Sequence, residues 1–398
     1  MIKTYKYKLY CSKKNNDLNT NTKICGNIYN HCIALTRRYY KMYGIHLNKF
    51  KLQKHITKLK KLNKYSFWNK VGSQAIQDVT DRIDRAYRVF FNNCKKKVKT
   101  RKVSPPSFQR SQAYSSFTLK QAGYKILPQN QIKINKKIYK YFKSRDFEGK
   151  IKCITIKKDN LGDWYVFFVC DIGNELNVSK SISMTGKTAG FDFGCTTFLT
   201  QNNGTKIQSP LFFDAGRKSI AKANQKLAKK VKGSNNFKTS KIRLARRHRK
   251  IANQRQDFHF KLANSLLKEY DTIFLETLDI ASMRQDHGKK INDLGFSNFV
   301  SILENKALEY GKTVYHIDKW FASSKICSEC GYKHEALGKH ESQWECPRCG
   351  SHHDRDHNAA LNIFEEGIRN LRGDGASSSI ERREGISLGN CQAALATA

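Results

Sequence analysis

The sequence predicts a multi-domain α+β protein with a small antiparallel β-barrel, a helical segment and an α/β layer. Its 398 residues are enough for about two to four domains and a sizeable core. The apolar pattern alternates at the start, becomes helical, and alternates again before residue 185. Beyond residue 186, strand-like and helical patterns take turns, which is typical of α/β proteins.

The N-terminal half predicts the barrel and the helical segment. Residues 2–10, IKTYKYKLY, alternate polar and apolar side chains and predict a strand that can join the barrel. Helical periodicity then extends to about residue 98 and is clearest in Ser73–Asn93. A basic linker, KKKVKTRKVSPPSF, comes next, and residues 113–180 predict antiparallel strands with a hairpin turn at DNLGD.

The C-terminal half predicts the α/β layer. Residues 189–200, AGFDFGCTTFLT, predict one strand that an Asn-Gly turn joins to a second strand. Residues 215–270 predict two basic helices with a break near KGSNNFK. YDTIFLE and KTVYHID predict strands, and Ser297–Tyr310 predicts an amphipathic helix between them. The tail from about Asn370 lacks periodicity and is predicted to be disordered.

The charge of the chain indicates a polyanionic partner. Lys and Arg number 74 against 33 Asp and Glu, which gives a formal net charge of +41. Self-repulsion of this size destabilises a compact protein unless a polyanion screens it. The charge therefore argues against an ordinary enzyme of small metabolites and favours nucleic acid, with an anionic membrane as the alternative. An AT-rich genome would also raise the lysine content. No apolar run reaches the roughly 18 residues of a membrane span, and no secretory signal is visible.

Four of the twelve cysteines form a metal-binding pattern. Cys327-x-x-Cys330 and Cys346-x-x-Cys349 are each followed by glycine, and fifteen residues separate the pairs. This spacing predicts a structural zinc site of the ribbon type, with four thiolates and no open position for catalysis. Nearby histidines are surplus to it and are expected at the surface or on nucleic acid: His334, His340, His352 and His353. The other cysteines are single, and several are expected as small buried residues of a reduced chain: Cys11, Cys25, Cys32, Cys94, Cys153, Cys170, Cys195 and Cys391.

Three acidic residues lie in or at the ends of predicted elements. Asp192 lies within the apolar strand, Glu276 ends TIFLE, and Asp356 precedes the helical NAALNI. Each one alone is as compatible with a structural role, as a helix cap or in an ion pair, as with a functional role. Clustered carboxylates repel one another unless divalent cations neutralise them, and oxygen ligands suit Mg²⁺ or Mn²⁺. Since two such ions can activate water in phosphodiester hydrolysis, the acids of this basic chain predict a nuclease.

Together these motifs resemble the TnpB family, whose members are encoded by insertion sequences and are related to compact type V CRISPR effectors and eukaryotic Fanzor proteins. GFDFG, FLE and CxxCG…CxxCG…DRDxNAAxNI resemble the family's three split RuvC motifs with an inserted zinc ribbon. The resemblance covers about residues 1–370 and includes SQAIQDVTDRIDRAYRVFF and WFASSKICSECG. It implies a β-barrel (wedge) domain with an inserted helical recognition domain, plus an RNase H-like α/β RuvC nuclease domain with an inserted zinc ribbon.

The resemblance also implies the domain boundaries. They are 1–12 for the first barrel strand, 13–104 for the helical recognition domain, 105–185 for the wedge barrel, 186–323 for the RuvC-like nuclease domain, 324–352 for the zinc ribbon that binds target nucleic acid, 353–370 for the last RuvC-like helix and 371–398 for a disordered tail.

By the same resemblance, Asp192 and Glu276 are the first two catalytic acids. Asp356, two positions before the asparagine of DxNAA, is the third, and Asp354 is a helper or cap. The implied cofactors are one structural Zn²⁺ on the four cysteines and two catalytic Mg²⁺ or Mn²⁺ ions on the acids. The implied activity is cutting of double-stranded DNA beside a short adjacent motif, directed by a guide RNA, the ωRNA. The implied state is a monomer in a ribonucleoprotein in the cytoplasm of a prokaryotic cell, with no membrane partner.

Three alternatives to this function stay open. A compact type V CRISPR effector would share all of the motifs. A transposase that acts without RNA, and an RNA-guided DNA-binding protein without catalysis, are the other two, although the intact acids argue against the last.

Further nucleic-acid contacts are predicted from basic and aromatic residues. A predicted helix presents basic residues that we expect to bind phosphates, with a solvated face as the alternative: Arg243, Arg246, Arg247, Arg249, Lys250 and Arg255. Aromatic residues of the N-terminal half could stack on bases, although such residues are more often core: Tyr39, Tyr40, Tyr43, Tyr65 and Trp68.

Overall fold

The computed structural model describes residues 2–12, 15–95, 103–173, 183–338 and 341–373. The chain divides into two compact units, Met1–Asn174 and Glu175–Ala398. Residues 96–102 of the predicted basic linker and the tail beyond residue 373 lie outside the described residues, as do His340 and Cys391.

The first unit combines helices with two antiparallel sheets. Its helices are α1 (Asn15–Tyr43), α2 (Lys49–Leu59) and α3 (Ser73–Lys95), with 3₁₀ turns at Asn63–Lys70 and Ser111–Ala113. Its strands are β1 (Ile2–Lys8), β2 (Ser116–Leu119), β3 (Tyr124–Leu127), β4 (Gln131–Ile134), β5 (Lys137–Lys140), β6 (Lys150–Lys158) and β7 (Trp164–Asp171). One sheet has the order β1-β7-β6-β2 and the other β3-β4-β5.

The first strand joins the larger sheet, as its alternation predicts. β1 pairs antiparallel with β7, from Ile2 opposite Asp171 to Lys8 opposite Tyr165. Tyr5, Tyr7 and Leu9 of this strand pattern are buried, whereas Lys6 is exposed and Lys3 and Lys8 are half-buried. A bridge between Leu9 and Tyr141 links the two sheets. Helices α1 to α3 therefore lie in the chain between two strands of one sheet.

The second unit is built on a mixed five-stranded sheet. Its strands are β8 (Thr188–Phe193), β9 (Thr197–Gln201), β10 (Lys206–Gln208), β11 (Thr272–Glu276) and β12 (Thr313–Ile317), in the order β10-β9-β8-β11-β12. Its helices are α4 (Phe212–Ala228), α5 (Asn235–Glu269), α6 (Ile280–Leu294), α7 (Phe296–Tyr310) and α8 (Arg355–Gly373). Two short strands, β13 (Gln343–Glu345) and β14 (His352–Asp354), form a separate hairpin.

The prediction of a single strand over residues 189–200 is wrong. The segment forms β8 and β9, which pair antiparallel around a turn at Gly194. A Cβ atom at Gly194 would lie 2.6 Å from the carbonyl oxygen of Thr197, so this turn needs glycine. The apolar run continues across the turn, and its periodicity therefore gave no sign of the break. The correction places Asp192 near the carboxyl end of β8, not in mid-strand.

Both faces of β11 are covered, which explains its continuous apolar run. Ile273 and Leu275 belong to the core that includes residues of α5 and α7. Phe274 points to the other face and packs with Ile363 of α8. Parallel strands β8, β11 and β12 thus lie between helical layers.

Helix α8 approaches this sheet closely because two glycines leave room for it. A Cβ atom at Gly190 of β8 would lie 2.7 Å from the Cβ of Phe364. A Cβ atom at Gly367 of α8 would lie 2.2 Å from the ring of Phe274. The helix therefore rests almost directly on β8 and β11, and this contact positions its first turn.

Candidate active site and metal-binding knuckle

The strand register brings Asp192 and Glu276 to one edge of the sheet. β8 and β11 are parallel, with Phe191 opposite Leu275 as their last pair. The next residue of each strand is Asp192 or Glu276, so the two acids follow the same ladder. In parallel strands the carboxyl ends share one edge, which is where ligands bind in open α/β sheets.

Asp356 reaches the same edge from the first turn of α8. A Cβ atom at Gly194 would lie 3.7 Å from the Oδ2 atom of Asp356, so this carboxylate sits over the turn that follows β8. The structure thus brings together the three acids that were predicted as catalytic. Their sequence separation hides this proximity, and the resemblance to a family supplied it.

The three carboxylates share one electrostatic environment. Burial, followed by repulsion from Glu276 and Asp356, raises the pKa of Asp192 well above its ordinary value. Burial raises the pKa of Glu276 to about 7. Burial and the neighbouring Asp354 also raise the pKa of Asp356, which Lys206 and Arg355 partly offset. Carboxyl groups that resist ionisation in this way would be stabilised by a cation between them.

The four cysteines of the predicted zinc site form a compact cluster. In the described ranges, the only ligand-type cluster with all its donor atoms within 4.8 Å of one another is formed by Cys327, Cys330, Cys346 and Cys349.

Asp354 caps the helix, as its position predicts. Its Oδ1 atom accepts a hydrogen bond from the backbone N–H of His357 at 3.0 Å, which is the geometry of an N-cap. Its Oδ2 atom forms an ion pair with Lys206 at 2.8 Å. The His357 ring is 3.1 Å from the carbonyl oxygen of Asn202 in the β9–β10 turn. The start of α8 is thus fixed to the neighbouring hairpin, and this contact fixes the position of Asp356 in the first helical turn.

The four cysteines form two matching knuckles. In each one the first cysteine's carbonyl oxygen accepts a hydrogen bond from the following glycine, Gly331 or Gly350, at 2.9 Å. Both glycines have φ near +73°, a left-handed conformation that a side chain would strain. The Sγ atoms of Cys327 and Cys349 are 3.7 Å apart. Four sulfurs held at about 2.3 Å from a tetrahedral ion would be about 3.8 Å apart, so the donor set fits such an ion.

The thiol environments differ within this cluster. Burial raises the pKa of Cys327 to about 12, whereas hydrogen bonds from Ser351 lower the pKa of the exposed Cys349 to about 6. The Nε2 atom of His353 lies 3.1 Å from the Cys327 sulfur. Such contacts orient metal ligands in other proteins.

Two asparagines of α8 hold the first knuckle. The Oδ1 atom of Asn358 accepts from the backbone N–H of Ser328 at 2.9 Å, and its Nδ2 atom donates to the carbonyl of Ile326 at 2.7 Å. Asn362 donates to the carbonyls of Ser323 and Ile326 at 2.7 and 2.6 Å. Both side chains are almost fully buried. Sequence reasoning missed this clamp, although two asparagines four positions apart on an otherwise apolar helix face are a visible signal.

Several predicted contact residues have structural roles instead. His353 is buried against Trp344, contrary to its predicted surface position, because β13 and β14 pair their positions. Trp68 is 2% exposed and belongs to the core, so it cannot stack on a base. Arg255 donates to the carbonyls of Asn292 and Asp293 and thereby holds the end of α6.

Other predicted residues remain available at the surface. On α5 these are Arg243, Arg246, Arg247 and Lys250, while Arg249 is half-buried. Tyr40 and Tyr43 are each 57% exposed, whereas Tyr39 and Tyr65 pack against the core.

The single cysteines differ in their burial: Cys25, Cys32 and Cys170 are buried, Cys153 and Cys195 are half-buried, and Cys11 and Cys94 are exposed. In the described part of the chain, no helix is both long enough and apolar enough to cross a membrane.

Comparisons with known proteins agree with this arrangement. Residues 171–286 match a family described as "Probable transposase", and residues 296–363 match the "Cas12f1-like, TNB domain" family. A "Putative RNA-guided DNA endonuclease" of Streptomyces pristinaespiralis is 30% identical over 317 residues, which cover 79% of this chain and 76% of that protein. The similar protein "InsQ" of Escherichia coli K12, with the same description, is 25% identical over 74% of each chain.

Solved structures show the same fold at low sequence identity. The Cas12f1–sgRNA–target DNA complex has a protein chain that matches with a TM-score of 0.55 and 16% identity, over 89% of this chain and 83% of that one. The mini-RNA-guided endonuclease CRISPR-Cas_phi3 matches with a TM-score of 0.51 and 11% identity, over 92% of both chains.

These matches define the class as that of proteins described as RNA-guided DNA endonucleases and probable transposases. Within this class, the chain belongs to the TnpB family.

Proposed function

We propose that the chain is an RNA-guided DNA endonuclease that hydrolyses phosphodiester bonds at Asp192, Glu276 and Asp356. The observation that supports this most strongly is the convergence of the three carboxylates from β8, β11 and α8, where each resists ionisation. The sheet that positions them has the parallel core expected of an RNase H-like RuvC domain. We also propose that the two sheets of the first unit form the wedge barrel.

The acids would hold two divalent ions, Mg²⁺ or Mn²⁺. When bound, such ions supply an activated water and stabilise the leaving oxygen of the phosphodiester. The chain itself provides the oxygen ligands and fixes their directions through the β8–β11 ladder and the capped start of α8. Lys206 and Arg355 add positive charge beside Asp356 and would favour a phosphate there.

The cysteine cluster would hold one structural zinc ion. Its four sulfur donors leave no open position for substrate, so its role is to order the knuckles. Through Asn358 and Asn362 that order extends to α8, the helix that presents Asp356.

The partners are a guide RNA and double-stranded target DNA. The names of the relatives and the Cas12f1 complex with sgRNA and target DNA support this proposal. The net charge of +41 and the exposed basic residues of α5 also support it. The finer features proposed here are an ωRNA from the transposon, a target-adjacent motif and a monomeric ribonucleoprotein.

Removal of single carboxylates tests the assigned site. Asp192→Ala, Glu276→Ala and Asp356→Ala should each lower the cutting rate by on the order of 10³-fold or more, because each removes a metal ligand. Binding of guide and target should survive in all three. Glu366→Gln is the matched control, since it removes a carboxylate from α8 whose hydrogen bond goes to Arg369. Normal cutting by Asp356→Ala together with failure of Asp354→Ala would show that the third acid is misassigned.

Replacement of the guide tests the RNA dependence. Cutting should require the guide, a matching target, the adjacent motif and Mg²⁺, and a new guide segment should move the cut without any change in the protein. If RNase-treated protein cuts the same site, an RNA-independent transposase replaces this proposal. Binding without cutting by the intact chain would instead favour a non-catalytic RNA-guided protein. A neighbouring CRISPR array, in place of transposon ends, would identify a type V effector.

A further inference from the structure

Trp320 is the most exposed large apolar side chain of the described residues. Its side chain is 80% exposed, whereas the other three tryptophans of the chain, Trp68, Trp164 and Trp344, are at most 7% exposed. Single exposed apolar residues are common on protein surfaces and by themselves indicate nothing. A functional role for Trp320 therefore has to follow from its position in the fold and not from its exposure alone.

The turn that presents Trp320 is fixed on both sides. Asp318 accepts a hydrogen bond from the backbone N–H of Trp320 at 2.7 Å through its side chain, and one from Phe321 at 3.2 Å through its carbonyl. The Phe321 ring packs against the cluster of Phe274 and Ile317. The half-buried Phe321 anchors the turn, and the neighbouring indole is left in solvent.

The turn lies at the edge of the sheet where the acids lie. β12 is parallel to β11, and its last residue, Ile317, is opposite Glu276. Three residues of chain reach at most about 11 Å, so Trp320 stays near this edge. The hydrogen bond from Thr277 to the carbonyl of Ile317, at 2.7 Å, keeps the two strand ends together.

A lysine adds positive charge to the exposed ring. The Nζ atom of Lys319 lies 4.3 Å from the centroid of the Trp320 ring, within cation–π distance. An exposed indole beside a cation suits an unpaired nucleobase, because the ring stacks on the base and the cation attracts its phosphate. A paired base is already stacked within its duplex and gains less from such a ring.

We propose that Trp320 stacks on an unpaired base of the DNA strand that enters the carboxylate site. The proposal rests on the proposed function, because it assigns the ring to the strand that Asp192, Glu276 and Asp356 would cut. It makes Trp320 a positioning residue, which holds the strand without touching the reacting atoms.

Tryptophan fluorescence tests this contact directly, since Trp320 is the one solvent-exposed tryptophan of the four. The probe is a short oligothymidylate added to the full chain with its co-expressed RNA, at a salt concentration that screens phosphate contacts. The single strand should quench the emission, and a duplex of the same length should not. Trp320→Ala should weaken oligothymidylate binding by roughly 5- to 150-fold, the range for loss of one stacked base. Trp320→Phe should retain most of the affinity, because it keeps an aromatic face.

The controls separate a local effect from a general one. Phe260→Ala removes another exposed ring of the same unit, on α5, and should leave the affinity unchanged. The melting temperature of Trp320→Ala should equal that of the wild type, since the side chain is mostly in solvent. Equal affinities of wild type and Trp320→Ala, or equal quenching by single strand and duplex, would overturn the proposal.

Two further outcomes distinguish this inference from the proposed function. Cutting by Trp320→Ala should show a raised KM for target DNA that Trp320→Phe restores. If oligouridylate binding depends on Trp320 while cutting does not, the ring contacts RNA and the assignment to DNA is wrong. If oligothymidylate binding depends on Trp320 and the chain cuts nothing, the stacking stands and the nuclease proposal falls.

Discussion

At the scale of single residues, Asp192 and Glu276 illustrate how a fold makes an acid unfavourable to ionise. Their folded pKa values lie above the ordinary ones. Below an ordinary pKa of about 4, both groups are protonated in the folded and the unfolded chain and do not affect stability. As pH rises toward 7, the unfolded chain ionises first, and folding becomes less favourable. A bound cation would reverse this effect.

Glu276→Gln should therefore stabilise the metal-free protein at high pH. In EDTA at pH 8 the variant should gain up to about 3 kcal/mol over the wild type, because the pKa of Glu276 rises from 4.5 to about 7 in the fold. At pH 4 the difference should vanish. Thermal melts across this pH range measure it, and added Mg²⁺ should raise the melting temperature of the wild type more than that of the variant. A variant less stable than the wild type at pH 8 in EDTA would contradict the assigned cause.

At the scale of elements, α8 is the part on which the candidate site depends most. One end is capped by Asp354, one face rests on Gly190 and the sheet, and Asn358 binds the knuckle. The direction of Asp356 follows from these contacts. Changes to any of them should alter the site without touching a carboxylate.

Gly367→Ala should push α8 away from the sheet. The added methyl would collide with the ring of Phe274, and overpacking of this kind costs about 1–3 kcal/mol. The melting temperature and the cutting rate should both fall. The matched control is Gly288→Ala in α6, where a Cβ atom meets nothing within 4 Å and alanine should stabilise the helix by up to about 1 kcal/mol. Similar melting temperatures for the two variants would contradict the close contact of α8.

Asn358→Ala should separate the knuckle from the helix. The change removes one hydrogen-bond partner each from the N–H of Ser328 and the carbonyl of Ile326. This loss should lower the free energy of unfolding by about 1–3 kcal/mol. Cutting should fall while the zinc content per chain, measured by metal analysis, stays the same. Asn305→Ala on α7 is the control, since its side chain donates to the carbonyl of Ser301 within its own helix. Zinc loss in Asn358→Ala would mean that the asparagine supports the metal site itself.

The hydrophobic periodicity of the sequence correctly predicts the elements whose environment is uniform along their length. Ser73–Lys95 keeps one apolar face throughout, so its periodicity is visible. Helix α6 was not predicted, because polar residues and Gly288 interrupt its pattern, and its stability comes from contacts such as those of Ile291 and Leu294 with the core. The three acids are far apart in the chain, and only the strand register and the docking of α8 unite them. Periodicity holds no information on such long-range contacts.

At the scale of the whole molecule, the charge of +41 is the dominant property. At low salt such a chain binds almost any nucleic acid, and binding alone is therefore uninformative. The charge also predicts how the protein behaves without its partner, because self-repulsion opposes the compact state.

Protein made without its RNA should be poorly soluble or aggregated, and co-expression of the RNA should restore soluble, more stable protein. The soluble yield and the melting temperature, compared at equal salt, measure this effect. Raising the salt should stabilise the RNA-free protein, since screening weakens the repulsion between its charges. The prediction would be contradicted by protein that is free of nucleic acid, is monodisperse at low salt and has the same melting temperature as the RNA-bound form.

The order in which the acids occur along the chain has a consequence for synthesis. The ribosome adds Asp192 first and Glu276 later, and it adds Asp356 only after the residues of both cysteine knuckles. Because chains fold from the N-terminal side during translation, the first unit can form before the third carboxylate exists. On the proposed assignment, a nascent chain would therefore be inert toward DNA until Asp356 has been made. The capacity to cut would arise late, with the docking of one helix.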